Sequence, residues 1–71
     1  MLAFIVHEKE VKELEYVLKR EMDEMLFDFE DERIDYLVKR AMEERYTIIF
    51  RLFMRITTPE ECMRYARKRI H

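Results

Sequence analysis

Residues 46–56 read Tyr-Thr-Ile-Ile-Phe-Arg-Leu-Phe-Met-Arg-Ile, and this stretch decides how the rest of the chain must fold. Its only polar residues are Thr47, Arg51 and Arg55, which recur every four positions. A helix places residues at this spacing along one narrow strip, whereas a half-buried strand alternates polar and apolar residues every two positions. The spacing therefore favours a helix that is apolar around most of its circumference, and such a helix is buried on most sides.

A β-strand over residues 46–56 stays open, because Tyr, Thr, Ile and Phe are common in strands. Residues 2–6, Leu-Ala-Phe-Ile-Val, carry a similar ambiguity. They could extend a following helix by one turn or form a short strand of their own. The alternative to an all-α fold is therefore an α+β fold with short strands at residues 2–6 and 46–56.

Hydrophobic periodicity predicts three helices, at about residues 7–27, 32–56 and 59–70. The first helix carries one apolar stripe at steps of three and four residues, formed by Val11, Leu14, Leu18, Met22, Met25 and Leu26. The second begins with a similar stripe, formed by Ile34, Leu37, Val38, Ala41 and Met42. We therefore expect residues 1–71 to form one small all-α domain of three helices, completed by self-association.

Capping signals mark two of the helix starts. Thr58, Pro59 and Glu61 stand where an N-cap, a first helical residue and the reciprocal member of a capping box are expected. The Thr58 hydroxyl should accept a hydrogen bond from the Glu61 N–H, and the Glu61 carboxylate should accept one from the Thr58 N–H. Before the second helix, Asp28 or Asp31 is the expected cap.

The charges are unevenly distributed along the chain. Residues 1–35 carry twelve acidic and five basic side chains, whereas residues 36–71 carry four acidic and nine basic ones. This split is compatible with an acidic helix packed beside a basic one in the same molecule. It is also compatible with self-association, or with an anionic partner for the second half.

The sequence gives no reason to expect a membrane partner. No stretch approaches the roughly 18 uninterrupted apolar residues of a transmembrane helix. Residues 2–6 are shorter than the roughly 7 apolar residues at the centre of a signal peptide. The single cysteine, Cys62, excludes an internal disulfide and fits a reducing compartment, so we expect a cytoplasmic location.

No motif points to catalysis, a cofactor or a small-molecule substrate. The acidic residues 21–35 include pairs one helical turn apart, but a calcium loop of the EF-hand type needs a glycine and the chain has none. His7 and His71 have no second positioned group nearby in the sequence, as acid–base catalysis would require. Cys62 lies on the apolar stripe of the third helix and is expected to be a small core residue. We therefore expect a protein that is not an enzyme.

Surplus apolar surface on the second helix is the feature that suggests a function. A short third helix cannot cover both the first helix and the wide apolar face of the second, and exposed apolar patches often mark interaction sites. We therefore expect a non-catalytic protein–protein interaction or regulatory module. Its partner is expected to be a second copy of the chain, in a homodimer, or another protein. The candidate interface residues are Tyr46, Ile49, Phe50, Phe53 and Met54.

Nucleic-acid binding is the main alternative function. The second half of the chain is basic, and a short turn between two helices invites comparison with a helix-turn-helix. The candidate phosphate-binding residues are Arg51, Arg55, Arg64, Arg67 and Lys68. The sequence pI of about 5.7 weighs against this alternative, since nucleic-acid-binding domains usually have a pI above about 9.

Overall fold

A computed structural model of the chain describes residues 1–66, and within them it contains three α-helices and no strand. The helices are α1 (Glu8–Phe29), α2 (Tyr36–Met54) and α3 (Pro59–Met63). α1 and α2 pack against each other as a helical hairpin, and the short α3 packs beside α2. The prediction of a small all-α fold is therefore confirmed.

The alternative α+β fold is wrong, because neither of its two strands forms within residues 1–66. The segment of residues 46–54 is helical, as its four-residue polar spacing favoured. Residues 2–6 form neither a strand nor an extension of α1, because α1 begins only at Glu8. The backbone N–H of His7 donates to the Glu10 carboxylate at 3.1 Å, which fixes the start of α1 after the apolar segment.

The connection between α1 and α2 is longer than predicted, because neither Asp28 nor Asp31 caps α2. Asp35 is the cap: its carboxylate accepts a hydrogen bond from the Leu37 N–H at 2.9 Å. Asp31 instead accepts from the backbone and the guanidinium group of Arg33, at 2.9 to 3.0 Å. The hydrogen bonds from Arg33 lower the pKa of the Asp31 carboxyl.

The predicted third helix, residues 59–70, is wrong in its length within the described part of the chain. α3 ends at Met63, and the N–H groups of Arg64 and Tyr65 bond to carbonyls three residues earlier, at 3.3 and 3.0 Å. Such bonds form tight turns rather than an extended α-helix. Residues 67–71, which complete the predicted helix, lie outside the described residues.

The core lies where the two long helices and the segment after α3 meet. Met22 of α1 and Phe53 of α2 are fully buried. The buried core among the described residues consists of Leu18, Met22, Met25, Tyr46, Phe53 and Tyr65. Leu18, Met22 and Met25 are spaced four and three residues apart, and Tyr46 and Phe53 are seven apart, so each helix contributes one face. The predicted stripe of α1 is thus the core side of that helix.

Tyr65 connects the end of the described chain to both long helices. Its backbone carbonyl accepts a hydrogen bond of 2.7 Å from the buried Tyr46 hydroxyl of α2. Its ring packs edge-on against Phe53, with 5.6 Å between the ring centroids. Burial raises the pKa of the Tyr65 hydroxyl, and a hydrogen bond with Asp23 of α1 raises it further.

An ion pair fastens α3 to α1. Thr58 accepts a hydrogen bond from the Glu61 N–H at 3.4 Å, as its capping position predicts. The Glu61 carboxylate lies 3.1 Å from Lys19 Nζ of α1, with both side chains partly buried. The predicted reciprocal bond of the capping box is therefore replaced by a contact between helices. The hydrogen bond and charge of Lys19 lower the pKa of the Glu61 carboxyl.

We predict that Tyr46→Phe destabilises the protein by about 1–3 kcal/mol, because the buried Tyr65 carbonyl then loses its donor while the ring is kept. The measurement is urea unfolding followed by circular dichroism. Tyr16→Phe is the matched control, because it removes the same hydroxyl from an exposed ring on α1. Equal midpoints for the two variants would show that the hydroxyl of Tyr46 does not hold the fold together.

We also predict an acid-sensitive contribution from the Lys19–Glu61 pair. The folded-state pKa of Glu61 lies below its ordinary value of 4.5. The pair therefore stabilises the fold above that value, and its contribution is lost as the pH falls through the folded-state pKa. Glu61→Gln should reduce stability at pH 7 and flatten its acid dependence, as measured by urea midpoints from neutral to acid pH. Lys19→Met must reproduce both effects, since it removes the same ion pair.

Candidate interaction surface

Two of the five predicted interface residues lie in the core of the chain itself. Tyr46 and Phe53 are buried between α1, α2 and the segment around Tyr65. The Tyr46 ring also packs edge-on against Phe29, with 5.9 Å between centroids. These two side chains thus present almost no surface to a partner. The widest part of the apolar face of α2 is largely covered by other residues of the same chain.

The other three predicted residues are only partly covered. Ile49 and Phe50 pack against the core from its edge, and Met54 is 51% exposed. Phe50 and Met54 line an open groove of about 330 Å³ between the end of α2 and α3, with Cys62 and Met63 on its other side. Cys62 also packs against the core, as its place on the apolar stripe predicts.

The larger exposed apolar surface lies on the opposite side of α2. Ile48 is two residues from Tyr46, and an α-helix turns such neighbours to opposite sides. We call this surface the outer strip; it consists of Leu37, Val38, Ala41, Ile48 and Leu52. Leu37 is 71% exposed, Ile48 is 68% exposed and Leu52 is 44% exposed. The strip extends over about 22 Å of α2 at 1.5 Å per residue.

Sequence reasoning missed the outer strip as a surface of its own. The sequence pattern places Leu37 and Ala41 in the stripe that begins the second helix, and Ile48 and Leu52 in one wide apolar face together with residues that form the core. A separate signal existed: the outer strip and the core residues follow two helical stripes on different sides of α2. Which stripe faces the core depends on the position of α1, which the sequence pattern of α2 alone does not specify.

Charged residues lie within and beside the outer strip. Arg45 interrupts it and donates a hydrogen bond of 3.1 Å to the Glu21 carboxylate of α1, so its charge is balanced within the chain. Glu44 and Arg51 are exposed, seven residues apart, and therefore lie along the same edge of the strip. The surface thus combines an apolar centre with charged residues of both signs along a single edge.

The residues proposed for nucleic-acid binding are only partly described. Arg51 belongs to the last turn of α2, Arg55 follows α2 directly, and Arg64 follows α3. All three side chains are exposed. Arg67 and Lys68 lie outside the described residues. The nucleic-acid hypothesis stays a prediction.

The remaining polar groups form no larger cluster in the described part of the chain. His7 lies at the start of α1, with Nε2 at 3.2 Å from the Glu10 carboxylate. Within residues 1–66, no three His, Cys, Asp or Glu side chains gather as the ligands of a metal ion do. None of the helices in the same residues combines the length and apolar character that crossing a bilayer requires.

Comparison with known proteins adds no assignment to this geometry. The chain matches no protein-family model, no curated protein and no solved structure.

Proposed function

We propose that this protein is a non-catalytic interaction module that self-associates through α2. The observation that supports the proposal is the exposed outer strip on the side of α2 that faces away from the core. Leu37, Ile48 and Leu52 recur along one side of the helix, so a single partner can cover them together. Isolated exposed apolar residues are common on monomers, but a row of them along one helix is typical of an interaction site.

Because the core is small, association would stabilise the protein by burying more apolar surface. Only about 60% of the surface of an unfolded chain of this size is buried on folding, so the isolated domain is marginally stable. Burying one large aliphatic side chain contributes about 1.5–3 kcal/mol. Covering Leu37, Ile48 and Leu52 in each of two copies would therefore offset the loss of translational and rotational freedom on association.

The proposed setting is the cytoplasm. The chain has one cysteine, Cys62, which packs against the core as a free thiol. A reduced, partly buried cysteine suits a reducing compartment. Such a module would act in regulation through its contact with another polypeptide.

We predict that the wild-type protein has a mass above 9.0 kDa in solution, and that Ile48→Glu returns it to 9.0 kDa while helicity is retained. The added carboxylate would lie inside the contact, where burying an unpaired charge is costly. The measurement is size-exclusion chromatography with light scattering at micromolar concentration, with circular dichroism on the same samples.

Phe27→Glu is the matched control for that experiment. Phe27 is an exposed apolar residue of α1, two positions from the buried Met25 and therefore on the side of α1 away from the core. It introduces the same charge at a site outside α2, so the mass should stay that of the wild type. A wild-type mass of 9.0 kDa would overturn the self-association proposal, and equal effects of both variants would remove α2 as the site.

A further inference from the structure

We propose that the partner is a second copy of this chain, lying antiparallel along α2, with Glu44 of each copy paired with Arg51 of the partner subunit. This inference rests on the proposed self-association and adds the direction of the second copy and the charge pair that selects it.

Four residues of the outer strip, together with Arg45 and Arg55, have the seven-residue recurrence of a seam between two helices, and Leu37 lies at the edge of this seam. Two interleaved sets of residues form the seam: Val38, Arg45 and Leu52, and Ala41, Ile48 and Arg55. Steps of three and four residues between the sets keep the seam on one side of the helix. Its residues are exposed in the hairpin, and the core side of α2 lies elsewhere on the helix.

An antiparallel copy fits this seam by size. With a twofold axis at the level of residues 46–47, the small Ala41 lies opposite the large Leu52 of the partner subunit. Ile48 then lies opposite Arg45 of the partner subunit. The aliphatic stem of that arginine can cover Ile48, while its guanidinium group stays paired with Glu21 of the partner subunit. Because a twofold axis repeats each contact, both ends of the seam are filled in the same way.

The edge of the seam supplies the charge complementarity. In a face-to-face antiparallel pair, residues on one edge of a helix meet residues on the same edge of its partner. Glu44 and Arg51 share an edge, and their midpoint lies within one residue of the twofold axis. Glu44 and Arg51 of the partner subunit are therefore offset by about 3 Å along the helix, a distance that these long side chains span. The dimer thus forms two Glu44–Arg51 pairs. The strip is therefore complementary to itself under a twofold rotation.

A parallel copy loses these features. Equivalent seam residues would then face each other, which would bring two Arg45 side chains together in the centre and two Arg55 side chains at one end. Glu44 would face Ile49 of the partner subunit and gain no cation. Charged residues beside a helical seam select the orientation of the partner, and here they select the antiparallel one.

Charge reversal tests the pairing. Glu44→Arg or Arg51→Glu alone should raise the dimer dissociation constant by about tenfold or more at low salt, because two attractive contacts become repulsive at once. The difference should shrink at high salt. The double variant E44R/R51E should recover the wild-type dissociation constant, and an equimolar mixture of the two single variants should form a heterodimer. The measurement is sedimentation equilibrium.

Two variants on α1 match the changes in net charge. Glu24→Arg and Arg20→Glu alter an exposed ion pair of 3.5 Å on α1 instead of α2. They should leave the dissociation constant unchanged. Circular dichroism on every sample separates weakened association from loss of the fold. If Arg51→Glu lowers helicity at the end of α2, Glu44→Arg and the double variant carry the test, because Glu44 lies in the middle of the helix.

The outcomes separate this inference from the proposed function. A dimeric wild type that Ile48→Glu dissociates, but that Glu44→Arg does not weaken, would overturn the antiparallel pairing and leave self-association through α2 standing. Recovery by the double variant together with heterodimer formation supports the pairing. A monomeric wild type would overturn both proposals.

Discussion

The hydrogen bond from the Tyr46 hydroxyl to the Tyr65 carbonyl holds the segment after α3 against the hairpin. A five-residue helix has too little surface to fix its own position, and most helical stability in proteins comes from packing. Here the position is fixed by three contacts on different groups of one segment: the Tyr65 carbonyl on α2, its ring on Phe53 and the Glu61 carboxylate on Lys19. Removing the first leaves the buried Tyr65 carbonyl without a donor among residues 1–66.

The docking of this segment, together with the position of α1, determines which surface of α2 is left exposed. The segment around Tyr65 and the buried face of α1 together cover Tyr46 and Phe53, and they leave the side that carries Ile48 uncovered. A chain with so few core residues has no further element among its described residues to place there. The outer strip is therefore the side of α2 that neither α1 nor the segment around Tyr65 covers, and the proposed second copy takes the place that a fourth helix has in a bundle.

The sequence predicted the helices well because their periodicity is strong, and the Thr58 cap because its chemistry is local. It failed where several residues could do the same task. Asp28, Asp31 and Asp35 are all competent caps, and the choice of Asp35 depends on the turn that Asp31 forms with Arg33. It also did not show which side of α2 faces the core, because a helix that is apolar on two sides does not reveal which side its neighbours occupy. Most of the predicted interface residues turned out to form or border the core.

The uneven charge distribution is only partly explained by packing within one chain. The Glu21–Arg45 pair joins an acidic first half to a basic second half, as expected for an acidic helix beside a basic one. The Lys19–Glu61 pair runs against that pattern, with the base on α1 and the acid on α3. Ion pairs between the helices therefore depend on the positions of individual residues and do not follow the average charge of each segment. The same reasoning applies at the outer strip, where one acid and one base at matching positions carry more information about a partner than the net charge of −2.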